Sequence, residues 1–328
     1  MINRQLSVAP MMDWTDRHCR YLHRLLSPHA LLYTEMVTTG ALLHGDKQRF
    51  LMFDEFEQPL ALQIGGSNPS EMAQCAEFAQ QEGYQEVNIN VGCPSDRVQN
   101  GRIGACLMSD PQLVAHCVSE MRDKVDIPVT VKTRIGIDDF DSVEFLLNFV
   151  DTVSKAGCET FIIHARKAIL KGLSPKENRT VPPLNYDRAY LIKREFPHLS
   201  VVVNGGIKAV EDIQQHWNKL DGVMIGREAY HNPFFLAEIE RQLFNEGALD
   251  REAILHEFIR YVDRQLTTGV SLQHMTRHIL GLFAGQPGGK YWRRYLSENA
   301  RHKNAGSDVL LAALEEMAPY QANLVASN

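Results

Sequence analysis

The chain reads as an α/β protein, a (β/α)8 TIM barrel followed by an all-helical C-terminal domain. Three observations lead there. Short β-branched runs alternate with helical patterns, polar residues and glycines collect at the C-terminal tips of those runs, and past about residue 234 the strand pattern stops. Strands separated by helices make parallel βαβ units, and eight such units close into a barrel. A chain of 328 residues exceeds the roughly 250 of one barrel, so an appendage is expected. The expected division is residues 1–235 for the barrel and 236–328 for the helical domain.

The first strand is expected over residues 6–9, with a helix over about 15–26. Residues 31–37 form the second strand and 60–64 the third, closed by Gly65-Gly66. A helix over about 70–82 leads to the fourth strand, within Glu86-Val87-Asn88-Ile89-Asn90-Val91-Gly92-Cys93-Pro94. There Val87, Ile89 and Val91 are β-branched at alternate positions, so Asn88 and Asn90 project from the opposite face. Gly92 and Pro94 end the strand in a turn. Ser109-Asp110-Pro111 opens a helix to about Lys124, with the proline in its first turn. Residues 129–134, 160–164, 199–204 and 222–226 are strands five to eight, with a helix over about 141–156 after the fifth. Beyond them helices are expected near 235–245, 251–267, 271–283, 291–301 and 307–317, punctuated by Gly269, the 285–289 run and Gly306.

With 44% hydrophobic and 23% charged residues, the composition is that of a soluble globular protein with ample core. No apolar run approaches the ~18 residues of a membrane span, and the N-terminus lacks the apolar stretch of a signal peptide. A cytoplasmic protein with no membrane partner is expected. The six cysteines are scattered without a CxxC pair, which reads as free thiols and no closed metal site. A net charge of −6 carries no whole-chain footprint of a nucleic-acid partner, although such a footprint can be local.

Cys93 falls just past a strand tip, where barrels carry catalytic residues. A free cysteine is more often simple packing. Asn90 beside it, and a following loop with Ser95-Asp96-Arg97, Gly101 and Gly104, favour a functional thiol. Gln63, Lys132, Arg134, His164, Arg166, Asn204-Gly205-Gly206 and Gly226-Arg227 also fall at or just beyond tips. Any one of them can be innocent: a lysine at a rim is often a solvated charge, and a lone histidine is more often structural. The set at one mouth reads as a site. Gly205-Gly206 and Gly226-Arg227 follow strands seven and eight, where barrels build a phosphate site from backbone N–H groups. Side chains cannot carry hydride, so a redox role requires a phosphorylated cofactor, and FMN is a candidate. A lysine would stabilise negative charge on a reduced ring, and a thiol with a pKa near ~8.5 is mostly protonated at neutral pH and can donate a proton. A Schiff-base aldolase using Lys132 stays open on spacing alone.

These residues also carry a resemblance. The runs Ala9-Pro10-Met11-Met12-Asp13, Gln63-Ile64-Gly65-Gly66, Asn88 through Pro94, Gly101 through Met108, Lys132-Thr133-Arg134, His164-Ala165-Arg166, Asn204-Gly205-Gly206-Ile207 and Met224-Ile225-Gly226-Arg227 resemble the tRNA-dihydrouridine synthases, in that family's order. The Val98-Gln99-Asn100-Gly101-Arg102 wording, the insertion over 171–183 and Trp292-Arg293-Arg294-Tyr295-Leu296 resemble the bacterial A-type subfamily, which acts on D-loop uridines 20 and 20a. The resemblance implies an FMN enzyme that uses NADPH to reduce the C5=C6 bond of uracil in tRNA; a monomer with no DNA partner is expected. Carried over, Pro10, Met11, Met12, Gln63, Lys132 and His164 hold the flavin ring and ribityl chain, and Asn204, Gly205, Gly206, Gly226 and Arg227 its phosphate. Cys93 protonates C5 after hydride reaches C6, and Asn90, Lys176 and Arg179 contact RNA.

The alternative is a flavin barrel for a small pyrimidine, such as a dihydroorotate dehydrogenase-like enzyme. A non-enzymatic RNA-binding module explains none of the strand-tip residues. The helical domain favours tRNA, which needs surface beyond the mouth. Between His274 and Asn304, six Lys and Arg stand against Glu298 alone, with Tyr291, Trp292 and Tyr295 among them. An arbitrary basic run is usually a solvated face, but aromatics beside arginines suit RNA. Lys290, Arg293 and Arg294 are therefore expected RNA contacts.

Overall fold

The computed structural model describes residues 2–95 and 101–320. The polar run at Asp96-Arg97 and the Val98-Gln99-Asn100 wording lie outside the described residues. The chain divides into two compact units, Met1–Thr15 with Ala30–Gly226 and Asp16–His29 with Arg227–Asn328. This differs from the expected boundary after residue 235. The helical unit begins at Arg227 and also takes in the first helix of the chain.

The first unit is the barrel. Its strands are β1 (Leu6–Val8), β2 (Leu32–Tyr33), β3 (Val37–Thr38), β4 (Leu60–Gly65), β5 (Glu86–Val91), β6 (Val129–Arg134), β7 (Thr160–His164), β8 (Ser200–Asn204) and β9 (Gly222–Ile225). All pair in parallel in the order β1-β9-β8-β7-β6-β5-β4-β2, with β3 also on β4. A parallel bridge between Ser7 and Leu31 closes the ring, with Val8 N–H on Leu31 O and Leu31 N–H on Leu6 O, both at 3.0 Å. The expected second strand, 31–37, is broken in two. Thr34 is the cause: its hydroxyl accepts the Gln63 N–H at 3.0 Å, where a strand carbonyl would otherwise sit, and donates to Glu35 O.

The crossover helices start where the sequence supplies caps. Asn68 accepts the Glu71 N–H before Pro69–Gln81, Asp110 the Leu113 N–H before Pro111–Arg122, and Ser142 the Phe145 N–H before Val143–Lys155. Each of the first two helices has proline in its first turn. Val87, Ile89 and Val91 are buried on one face of β5. On its other face Glu86, Asn88 and Asn90 join a polar chain through the barrel. Glu86 is fully buried and receives Arg4 at 2.6 Å, Tyr33 at 2.6 Å and Thr130 at 2.7 Å. Asn88 donates to Thr130, Gln63 to Asn88 and Asn90 to Gln63, each at 2.8 Å. Every link satisfies its neighbour, so the interior tolerates this polarity and orients the mouth.

The second unit contains the helices Arg17–Leu26, Phe234–Leu243, Arg251–Thr267, Leu272–Thr276, Gly289–Asn299 and Asp308–Glu315. Asp16 caps the first of them by accepting from the His18 and Cys19 N–H groups at 3.0 Å, and it also receives Arg277 at 2.6 Å and His278 at 3.0 Å. The expected helix over 271–283 stops at Thr276, and turns follow. Among the described residues, no helix is long and apolar enough to cross a membrane.

Candidate active site

The C-terminal tips of β4 to β8 carry Gln63, Asn90, Cys93, Lys132, His164 and Asn204. Cys93 lies two residues past β5 and is partly exposed. Asn90 fixes it, because its side-chain oxygen accepts the N–H groups of Gly92 at 3.1 Å and Cys93 at 2.9 Å. The Cys93 sulfur lies 3.6 Å from the Ser95 hydroxyl. Three of the four bonds an Asn side chain most readily makes are thus taken within the barrel, one of them to Gln63.

On β6, Lys132 Nζ donates to Asn204 Oδ1 at 3.1 Å, and Asn204 in turn donates to Met224 O at 2.8 Å. Desolvation by burial, then the nearby Arg134 charge, pushes the Lys132 amine down to about 7, while the Cys93 thiolate would pull it back up. Arg134 is shifted down to about 10, mainly by burial, with Cys93 again opposing. Lys132 and Arg134 are therefore both near the Cys93 side chain. Cys106, the other partly exposed cysteine, points its sulfur at Ile103 O, 3.3 Å away, and burial raises its pKa. Cys75, Cys117 and Cys158 are buried and pushed up to about 12, chiefly by desolvation. None of the six cysteines forms a disulfide.

After β8 the backbone turns through Gly205 at φ +117° and Gly206 at φ +77°, a region that L side chains disfavour. A Cβ on Gly205 would stand 2.9 Å from His164 Cδ2, and one on Gly206 would stand 2.5 Å from Leu184 and 2.8 Å from the Tyr186 hydroxyl. His164 and the double glycine are therefore neighbours. Tyr186 OH donates to Gly205 O at 2.7 Å and anchors this turn. Gly226 is different, since the nearest atoms to a Cβ there are Ala9 Cβ at 3.9 Å and Asn204 Nδ2 at 4.0 Å. Near β1, Met11 is buried with its N–H on Thr15 Oγ1, and Met12 is 55% exposed. Arg227 opens the helix Arg227–His231 in the second unit. Lys176 is exposed, and Arg179 is partly buried at the end of a short 3-10 turn, Glu177–Arg179.

In the helical unit Lys290, Arg293 and Arg294 are exposed. Of the three aromatics beside them, Trp292 does not reach the surface, whereas Tyr291 and Tyr295 are partly exposed. Trp292 is fully buried, edge-on to Phe283, with its N–H on Ile279 O at 3.0 Å. Tyr291 stacks on Tyr320 at 4.0 Å, and His278 is buried. On a helix, 292 and 296 share the inward face, so the Trp292-Leu296 spacing marks packing rather than recognition.

The described residues of the barrel also hold partners that sequence reasoning missed. Arg134 was visible only as a strand-tip charge, yet it binds three main-chain carbonyls, and Tyr186 was not singled out at all. Carbonyl acceptors leave no residue-type signal, so neither role could be read in advance.

Comparison with known proteins gives a consistent result. The family described as Dihydrouridine synthase (Dus) matches residues 7–319. A Vibrio cholerae protein named tRNA-dihydrouridine(20/20a) synthase is 61% identical over 320 residues, 97% of each chain. Proteins of the same name from Shewanella oneidensis and Escherichia coli K12 are 57% identical over 327 residues and 59% over 317. The first match covers 99% of this chain and 96% of the relative, the second 96% and 92%.

Proposed function

Because this chain belongs to the dihydrouridine synthase family, we propose that it reduces the C5=C6 bond of uridines 20 and 20a in the tRNA D-loop, using FMN and NADPH. The reading places it in the cytoplasm, as a monomer acting on tRNA. The observation that carries the chemistry is the Cys93 thiol, fixed past the β5 tip by Asn90 and influenced by Lys132 and Arg134.

The double glycine after β8 supports a flavin phosphate there: both residues have positive φ and stand where barrels bind phosphate through main-chain N–H groups. Asn204, Gly205, Gly206 and Gly226 hold the phosphate in this reading, and Arg227 joins them on its place in the sequence alone. Pro10, Met11, Met12, Gln63, Lys132 and His164 hold the ring and ribityl chain. FMN, when bound, supplies hydride to uracil C6, chemistry no side chain can provide. Cys93 gives its S–H proton to C5, and Lys132 and Arg134 stabilise the thiolate left behind. Solvent then reprotonates it. Asn90 has one N–H left for the base, while Lys176 and Arg179 contact the RNA. Lys290, Arg293 and Arg294 add phosphate contacts from the helical unit.

The test is direct. Purified protein, FMN, NADPH and an unmodified tRNA transcript are incubated, and dihydrouridine is mapped by mass spectrometry. Reduction at positions 20 and 20a is expected. Reduction of a free pyrimidine with none in tRNA would establish the small-molecule alternative instead. Light scattering on the same sample checks the monomer.

A further inference from the structure

Arg134 ends β6 and is 3% exposed, yet among the described residues its hydrogen bonds go to carbonyls and to no carboxylate. Nε donates to Gly92 O at 2.9 Å, and Nη1 donates to Lys167 O at 3.2 Å and Asn178 O at 2.9 Å. These carbonyls belong to the turn after β5, the segment after β7 and the short 3-10 turn.

The first of them matters most. The Gly92 carbonyl and the Cys93 N–H are two ends of one planar peptide unit. Arg134 holds the carbonyl end at 2.9 Å, and Asn90 holds the N–H end at 2.9 Å. With both ends held, the plane cannot rotate, so the direction in which the Cys93 side chain leaves the backbone is set. The other two carbonyls lie in the segment that carries Lys176 and Arg179. Asn178, fully buried between them, organises that segment. Its side chain accepts the Ile169 N–H at 2.7 Å and donates to Ile169 O, Leu173 O and Ser174 O. One guanidinium therefore ties the acid's backbone to the segment assigned to RNA contact.

A buried cation is a costly structural brace, because desolvation opposes it and neutral donors could serve carbonyls at lower cost. Arg134 also sits near Arg166 and Arg179, which adds repulsion, whereas the Cys93 sulfur favours its charge. A planar fork with several donors in fixed directions is what three divergent carbonyls demand, and lysine lacks that fork.

We propose that Arg134 is a positioning residue that holds the Cys93 peptide plane and the 167–180 segment in one register, so that RNA docking delivers the uracil to the thiol. This rests on the reading of Cys93 as the acid and of Lys176 and Arg179 as RNA contacts.

The test uses the flavin-loaded full chain and Arg134→Lys, which keeps the charge and loses the fork. Four quantities are read: flavin reduction by NADPH, tRNA affinity, the single-turnover rate of dihydrouridine formation, and the rate of Cys93 alkylation by iodoacetamide without RNA. Flavin reduction should stay within about twofold, and tRNA affinity should fall, because two of the three carbonyls released belong to the segment that carries Lys176 and Arg179. Turnover should fall about 10²-fold, the scale of a misplacement near 1 Å, and alkylation should rise as the peptide plane is released. Parental turnover with parental alkylation overturns the proposal. Loss of fold or flavin in Arg134→Lys would make it a purely structural residue and also overturns the proposal, as does an Asn178→Ala enzyme, loosened only in the 167–180 segment, that keeps the parental KM for tRNA. A parallel Cys93→Ala sample separates the two ideas. If it turns over at the parental rate, the acid reading fails, and the alkylation arm still decides whether Arg134 orients the thiol.

Discussion

Lys132 Nζ reaches Asn204 Oδ1 at 3.1 Å and so links β6 to β8 by one hydrogen bond. Burial, then Arg134, holds the amine at about 7 in place of its ordinary value. Flavin-free protein should therefore show a lysine that titrates near neutrality. Between pH 7 and about 10.5 the unfolded chain binds this proton and the folded chain does not, so stability from this group rises with pH across that window. The penalty of burying the charged amine is fully present below pH 7. Reductive ¹³C-methylation followed by an NMR pH titration checks it: Lys132 should move near pH 7, be absent from Lys132→Met, and shift upward when an anion fills the mouth. Titration above pH 10 in flavin-free protein would contradict the desolvation argument.

The two glycine sites should respond differently to alanine. Gly205 and Gly206 have positive φ and close neighbours, whereas Gly226 has neither. Gly206→Ala is expected to purify pale and lose flavin affinity by tenfold or more, since strain and the Leu184 and Tyr186 contacts oppose the turn. Gly226→Ala should keep its flavin within a few-fold. Absorbance of purified protein and flavin titration measure both. Equal retention would move the phosphate away from the β8 turn.

Asp16 should be a stability residue of the helical unit. Burial opposes its charge, but the hydrogen bond and charge of His278 and the Cys19 N–H outweigh that and hold its carboxyl well below the usual range. The group therefore contributes stability above its unfolded pKa near ~3.9, and that contribution is lost as pH falls toward the folded value. Asp16→Ala removes the helix cap, typically worth about 1 kcal/mol, and leaves Arg277 and His278 without this carboxylate. Urea unfolding should show at least that loss, with Asp16→Asn milder because it keeps a capping oxygen. An alanine variant as stable as the parent would refute the cap.

Arg293 and Arg294 are exposed on one helix, and they test the RNA role of the basic stretch directly. Arg294 also approaches Glu298 at 3.9 Å and the Tyr291 ring at 5.7 Å, which is a solvated arrangement. The double alanine variant should bind tRNA more weakly and lower the salt slope by about 2, one for each phosphate contact. Flavin content should not change. An unchanged slope would make the stretch ordinary surface.

How much was legible follows from which groups carry the signal. The barrel strands were visible because short apolar runs, several of them β-branched, alternate with helical patterns, and one helix start because Asp110 precedes a first-turn proline, whereas the Asn68 and Ser142 caps emerged only in the structure. The break between β2 and β3 was not, since Thr34 looks like any strand threonine until its hydroxyl meets Gln63 N–H. The membership of Asp16–His29 in the helical unit depends on Arg277 and His278, more than 260 residues away, and no local pattern encodes that. The site residues at the tips were visible as types out of place in a core. Their bonds to one another, Asn90 to Gln63 and Lys132 to Asn204, needed coordinates.

The central claim is that Cys93 protonates the uracil. The most direct measurement is single-turnover formation of dihydrouridine by pre-reduced enzyme under saturating tRNA, comparing the parent with Cys93→Ala and Cys106→Ala. Loss of a general acid is worth about 10²–10⁴ in rate, so Cys93→Ala should be slowed by that factor while its flavin is still reduced by NADPH. Cys106→Ala should run at nearly the parental rate. A Cys93→Ala enzyme that makes dihydrouridine as fast as the parent would contradict the account.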